Sequence, residues 1–360
     1  MTLIITNGDI VADTLKSAGL AHTIVPWRDT LIDGPVPLTS DLRTLDEIRA
    51  AFLSEAFAVP LHEIEEEFAH RRMQLESIDP EQSIELWFEH DLYDQLQLFQ
   101  TLDALNRSEV VGDVKLVQAN DYLGRHAPDS IARFASTKRS VTDTDFEIAS
   151  QVWTSYCSPT PEAWSRLATD PDLARFPFLR AAMFRALEEL PGQADGLSRT
   201  ERRVLQALRE KTASPQTLFN ENQRREPAVF LGDWSFWRRL EDLAFARHPL
   251  ISGLPERFRD IYCRTTDEFT PELVTSDTPD ANRIAHYLGA ELSLTDFGHA
   301  VVSGQIDQIE QNGIDRWWGG THLTLLRCWR WDQACGCLVQ PQSNSLFGVE
   351  DHSFSFPRAS

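Results

Sequence analysis

Hydrophobic and polar positions alternate in blocks along roughly the first third of the chain. The apolar run LIIT (3–6) is followed by Asn-Gly-Asp. IVADTLKSAGL then places Ile10, Val11, Leu15 and Ala18 on one helical face, with Gly19 as its stop. HTIVPW (22–27), SIELWF (83–88) and DVKLVQA (113–119) read as three further strands. Between the second and third lie the turn chemistry of DGPVP and helical, partly acidic segments ending in HEIEEEFAHRRMQLES. DLYDQLQLFQTLDAL is amphipathic, with Leu92, Leu96, Phe99, Leu102 and Leu105 on one stripe. Strand and helix in alternation predict parallel pairing, because each crossover is a right-handed βαβ unit.

The pattern changes further on. Residues 140–190 read as helical, with Pro159, Pro161, Pro171, Pro177 and Pro191 at the joints, and PGQADGLS (191–198) reads as a linker. Ser198 and Glu201 fit a capping box opening the helix RTERRVLQALREK. SPQTLFNENQR and DWSFWRRLEDLAF are two more helices, and PLIS and ELSL are short strands. TDFGHAVVSG is a helix capped by Thr295 and stopped by Gly304. Three helices followed by strands form a winged-helix-like pattern. The expected fold is therefore α/β: an N-terminal open, mainly parallel sheet with flanking helices, then a mostly helical, winged-helix-like C-terminal domain. The expected boundaries are 1–140 for the α/β domain, 141–192 for a helical connector, 193–335 for the winged-helix-like α+β domain and 336–360 for an irregular tail.

Composition narrows the partners. The chain has 360 residues and a formal net charge of −21, with 34 Lys and Arg against 55 Asp and Glu. Such a balance disfavours the phosphate backbone of nucleic acids and the anionic face of a membrane. No apolar run is long enough to span a bilayer, and no secretory leader is visible, so a cytoplasmic location is the expectation. Five cysteines predict no disulfide framework. Cys335-Gly336-Cys337, with Cys328 before and His352 after, lacks the spacing of a zinc ribbon, and no metal is expected there.

The strands end alike. Asn7-Gly8-Asp9, Arg28-Asp29, Glu89-His90-Asp91 and Asn120-Asp121 each follow an apolar run. In an open parallel sheet all strand C-termini share one edge, and ligands bind in the crevice outside it. With a strand order of 2-1-3-4, Asp9 falls near Glu89, His90 and Asp91. Each Asp could equally be a plain helix N-cap. Capping does not account for Arg28 beside Asp29, or for Glu89 and His90 beside Asp91. Gathered carboxylates repel one another, which calls for a proton or a cation, and hard oxygen donors suit Mg²⁺ or Mn²⁺. Asp9, Glu89 and Asp91 are thus candidate metal ligands, and Asp9, His90 and Asp91 candidate catalytic groups. Asn7, Gly8, Arg28, Asp29, Asp33 and Asp94 are candidate ligand contacts. Among them Gly8 would let an anion approach a helix N-terminus, and Arg28 would pair a phosphate. A second cluster, DRWWGGTHL (315–323) with CWRWD (328–332), offers Arg316 and Trp318 as a platform or lid. A cation–π core is its other reading.

ITNGDIVADTLKSAGL, VPWRDTLIDGPVP and LWFEHDLYDQLQLFQTL together resemble the bacterial family catalogued as domain of unknown function 1835, over the first third of the chain. LSLTDFGHAVVSG and DRWWGGTHL…WRWD resemble the region that often accompanies it. The resemblance implies an α/β fold and a bacterial origin and carries no activity. The functional expectation is a small-molecule site at the carboxyl edge for a phosphorylated or nucleotide-like ligand with a divalent ion, whose phosphoester the protein hydrolyses or transfers. The alternative is a non-catalytic ligand-sensing regulator or adaptor with a protein partner. DNA binding through the winged-helix-like module ranks below both, because its third helix opens on Trp234, Phe236 and Trp237.

Overall fold

A computed structural model describes residues 2–20, 23–79, 82–108, 113–261 and 279–341. The N-terminal part contains β1 (Thr2–Asn7), α1 (Gly8–Ser17), β2 (Thr23–Trp27), α2 (Leu42–Phe57), α3 (Leu61–Glu76), β3 (Ser83–Phe88), α4 (Leu92–Arg107), β4 (Val114–Gln118), α5 (Pro128–Ile131) and β5 (Arg139–Ser140). These strands form one sheet in the order β2-β1-β3-β4-β5. The first four are mutually parallel, and β5 adds an antiparallel edge. The chain runs outward from β1 to β2 and then returns past β1 to β3. The gap outside the ends of β1 and β3 is therefore the switch point of a doubly wound sheet.

Both faces of this sheet are covered, as parallel strands require. Ile4, Trp87 and Val117 pack with Val11 and Leu15 of α1 and with Ile131 of α5. Their alternates Leu3, Ile5, Ile84, Leu86 and Phe88 belong to a larger cluster with Leu96, Phe99 and Leu102 of α4. That larger cluster also takes in buried residues of the second half of the chain as far as Trp331.

The second half contains α6 (Asp143–Tyr156), α7 (Glu162–Leu167), α8 (Leu179–Leu187), α9 (Arg199–Glu210), α10 (Pro215–Arg225), α11 (Asp233–Ala244), β6 (Ile251–Ser252), α12 (Phe258–Ile261), α13 (Pro279–Gly289), β7 (Ser293–Leu294), α14 (Asp296–Val302), α15 (Gln308–Asn312), β8 (Asp315–Trp318), β9 (Thr321–Thr324), β10 (Arg330–Asp332) and β11 (Cys337–Val339). The box at Ser198 and Glu201 forms and starts α9. Helices α9 to α11 are followed by the two-residue antiparallel ribbon β6–β7. Helix α11 packs into the molecule: Phe236, Trp237, Arg239 and Leu240 are buried, and Arg239 reaches Asp33 of the N-terminal part at 2.7 Å. Within the stretch expected to be an irregular tail, Cys337–Val339 pairs with β10, while 342–360 lies outside the described residues, as does His22 of the expected second strand.

Two glycines let the β8–β9 hairpin dock against the end of α6. Gly320 N donates to Tyr156 O at 2.9 Å, and a Cβ on Gly320 would stand 1.9 Å from Cys157 O. The segment after β2 is tied to the same place by Val36 N to Gly319 O and Leu38 N to Cys157 O. No helix among the described residues is long and apolar enough to cross a membrane.

Candidate functional site

The end of β3 runs into α4 through Glu89, His90 and Asp91. Asp91 is the N-cap of α4, its Oδ1 accepting from Tyr93 N at 2.9 Å and from Asp94 N at 3.3 Å. A cap of this kind fixes the side chain against the first turn of the helix. Asp94 then points back toward the strand ends. Its Oδ1 accepts from Glu89 N at 2.7 Å, and its Oδ2 accepts from Asn7 Nδ2 at the end of β1. Glu89 Oε1 accepts from Leu123 N at 2.6 Å, beyond β4. The switch point thus gathers one residue from β1, three from the β3–α4 junction and one amide from the loop after β4.

Glu89, Asp91 and Asp94 each bring a carboxylate oxygen within 4.8 Å of the others. They are 6%, 3% and 1% exposed, and none forms a salt bridge among the described residues. Burial, with Asp91 beside it, pushes Glu89 up to about 7. Burial pushes Asp91 up to about 7 as well. Asp94 is held well above the usual carboxylate range by burial and then by the charges of Asp91 and Glu89. Three acids with so little water, none salt-bridged and with only Arg125 of the cavity lining acting on Glu89, favour binding a proton or a cation.

They open into a cavity of about 640 Å³. Asn7, Thr30, Tyr93, Tyr122 and Arg125 line it from the N-terminal part, Phe57 and Val59 from the end of α2 and the turn after it, and Gln223 with residues 229–235 from the C-terminal part. The His90 ring lies 5.0 Å from that of Tyr122 at a 58° tilt, and the Arg125 guanidinium carbon lies 4.2 Å over the Tyr122 ring. The Tyr122 hydroxyl accepts from Val229 N and so joins the two halves at the cavity wall.

The other expected site residues are placed elsewhere. Asp9 is half exposed and pairs with Arg28, Nε to Oδ2 at 2.9 Å, while Arg28 also reaches Glu67 at 3.2 Å. Neither lines the cavity, so the position expected for Asp9 in the acidic cluster is held by Asp94. Asp29 is sealed against Arg49 at 2.7 Å, both side chains fully buried. Asp33 is spent on Arg239. His90 turns its ring to Tyr122 and Phe178 and does not line the cavity; its Nδ1 is buried without a partner, and burial lowers its pKa. Gly8 opens α1 at φ 61° away from the cavity lining. Asp121 accepts from Tyr122 N and pairs with His126. Arg316 pairs with Glu201 at 3.0 Å, and Trp318 Nε1 donates to Ala186 O at 2.8 Å beside Tyr156 and Trp164. Trp318 therefore serves the core, while Arg316 lines a second cavity together with Asp33. Cys335 and Cys337 form a disulfide in the β10–β11 turn, which the cysteine count does not predict, and His352 lies outside the described residues.

Arg125, Tyr122, Gln223 and residues 229–235 were not legible as site residues. Tyr122 directly follows Asn120-Asp121, so the rule that strand ends converge could have reached it and Arg125. Nothing in the sequence brings residues 223–235 to this edge.

The fold and cleft together define an α/β protein with a doubly wound sheet and an acidic pocket at its switch point. No family model matches the chain, and no curated protein matches it.

Proposed function

We propose that the carboxyl-edge cleft binds a divalent cation on Glu89 and Asp91 and a phosphorylated small molecule beside it. The observation that carries this is the trio of buried carboxylates meeting within 4.8 Å, none of them in a salt bridge among the described residues. Mg²⁺ and Mn²⁺ suit an all-oxygen donor set. Two carboxylates neutralise the ion, and the Arg125 guanidinium at the same edge offers a charged partner to a phosphate oxygen. Arg125 is thus the phosphate partner that the sequence assigned to Arg28. A cation so placed would polarise a phosphoryl oxygen and lower the pKa of a bound water, the basis for hydrolysing or transferring a phosphoester.

One observation favours the ligand-sensing alternative. The cavity wall is shared by both halves, so a ligand there would brace them against each other. DNA recognition by α11 draws no support from its packing, since Arg239 is consumed by Asp33 and Arg238 lies over Phe52 and Phe57.

The test is thermal melting of metal-stripped protein with and without millimolar Mn²⁺ or Mg²⁺. Occupancy at ~100 times the dissociation constant stabilises by about 2.7 kcal/mol. A rise in Tm followed by release of phosphate from a phosphoester supports the enzyme. A rise without turnover favours the sensor, and no rise removes the cation site.

A further inference from the structure

The cavity exceeds what a cation and a phosphate need. At about 640 Å³ it has the size of a pocket that encloses a whole organic ligand. Four of its five charged lining residues, Glu89, Asp91, Asp94 and Arg125, come from the carboxyl edge, and the fifth is Asp233. Much of the remainder is ring and branched apolar surface from Phe57, Val59, Phe230 and Trp234. The Phe57 and Trp234 rings lie 5.8 Å apart at a 52° tilt. Between Phe57 and Val59 sits Ala58, at φ 52° the one non-glycine residue in the left-handed region among those described. The chain leaves α2 at that turn, and the residues on both sides of it line the cavity.

Polar groups near this surface are partly engaged, and Gln223 Oε1 is buried there without a partner. Gln223 Nε2 donates to Leu231 O at 2.9 Å, and Asp233 Oδ1 accepts from Trp234 N at 2.7 Å. A flat heteroaromatic ring placed there would meet aromatic faces and edges, and Gln223 Oε1 is open to a donor on its rim. We infer that the ligand is a nucleoside phosphate, with its base on the Phe57–Val59–Trp234 surface and its phosphate at Glu89, Asp91 and Arg125. This rests on the cation-and-phosphate proposal and adds the substrate class. Phe57 is then a specificity-determining residue.

The experiment titrates the full chain in Mn²⁺ with adenosine 5′-monophosphate, ribose 5-phosphate and inorganic phosphate, followed by calorimetry. The adenosine phosphate should bind tighter than ribose 5-phosphate by about tenfold or more, the gain a stacked base supplies. Phe57→Leu keeps an apolar side chain in place and should cut that advantage to about threefold or less. Val59→Ser should reduce it in the same direction and serves if Phe57→Leu fails to fold. Equal affinities for the adenosine and ribose phosphates in the parent overturn the inference while leaving the cation site standing. So does a Phe57→Leu protein that keeps the whole advantage. A parent that responds to neither Mn²⁺ nor phosphate removes the underlying site, and the inference with it.

Discussion

Replacing Asp91 by Asn should stabilise the metal-free protein at pH 8 and remove its response to Mn²⁺. The cap itself survives, because an Asn oxygen accepts from Tyr93 N and Asp94 N as the Asp oxygen does, and the two residues cap helices equally well. What is lost is a buried charge. Asp91 stands at about 7 in the fold against an ordinary 3.8. A carboxyl whose pKa is raised by folding holds its proton more tightly in the native state. The stability this supplies is fully present below pH 4 and is lost as pH rises to about 7. At 1.36 kcal/mol per pH unit the whole loss is roughly 4 kcal/mol, and at pH 5 roughly 2 kcal/mol of it has occurred. Asn has no such loss. For a chain of this length, with an unfolding entropy of about 2.1 cal/mol/K per residue, the variant should melt about 5 °C above the parent at pH 8. The gap should narrow to less than half at pH 5. The assay is calorimetric melting in chelator at both pH values, repeated with Mn²⁺. There the parent should gain about 2.7 kcal/mol at a hundredfold excess over its dissociation constant, and the variant little. A variant that melts below the parent at both pH values, or a gap that does not change with pH, would refute the electrostatic account of the cluster.

Three other outcomes follow from the same structure. Arg125→Ala should leave the Mn²⁺-induced rise in Tm intact and weaken inorganic phosphate binding at least about tenfold, as loss of a charge-assisted contact does; calorimetric titration reads it. Ala58→Gly should stabilise by about 0.5 kcal/mol, because glycine adopts φ 52° without the steric penalty alanine meets there, partly offset by a more flexible unfolded chain; urea melts check the sign. Gly320→Ala should destabilise by about 3 kcal/mol, since the added methyl would stand 1.9 Å from a backbone carbonyl that cannot swing away, and a lowered urea midpoint or loss of soluble protein would show it.

Local sequence determined a good part of this molecule. The blocks at 3–6, 83–88 and 113–119 form strands because their apolar residues alternate across a sheet buried on both faces, and Leu92 to Leu105 form a helix because their spacing matches its turn. Asp91 caps α4 through atoms two and three residues away, so its placement needs nothing distant. The convergence of Asn7 with the Glu89–Asp91 turn follows from strand order and the shared edge of a parallel sheet.

Tertiary structure alone decided which acids stay available. Asp9, Asp29, Asp33 and Asp91 look alike along the chain. Arg28 and Glu67 draw Asp9 and its partner aside, Arg49 from α2 seals Asp29, and Arg239, 206 residues away, takes Asp33. Asp94, one turn into α4, is the acid that faces Glu89 and Asp91. Arg125, Gln223 and residues 229–235 reach the cleft only through packing. Secondary structure answers to neighbours a few residues away, which the sequence displays. A buried charge answers to whichever opposite charge the completed fold brings within a few ångströms, and no local pattern records that partner.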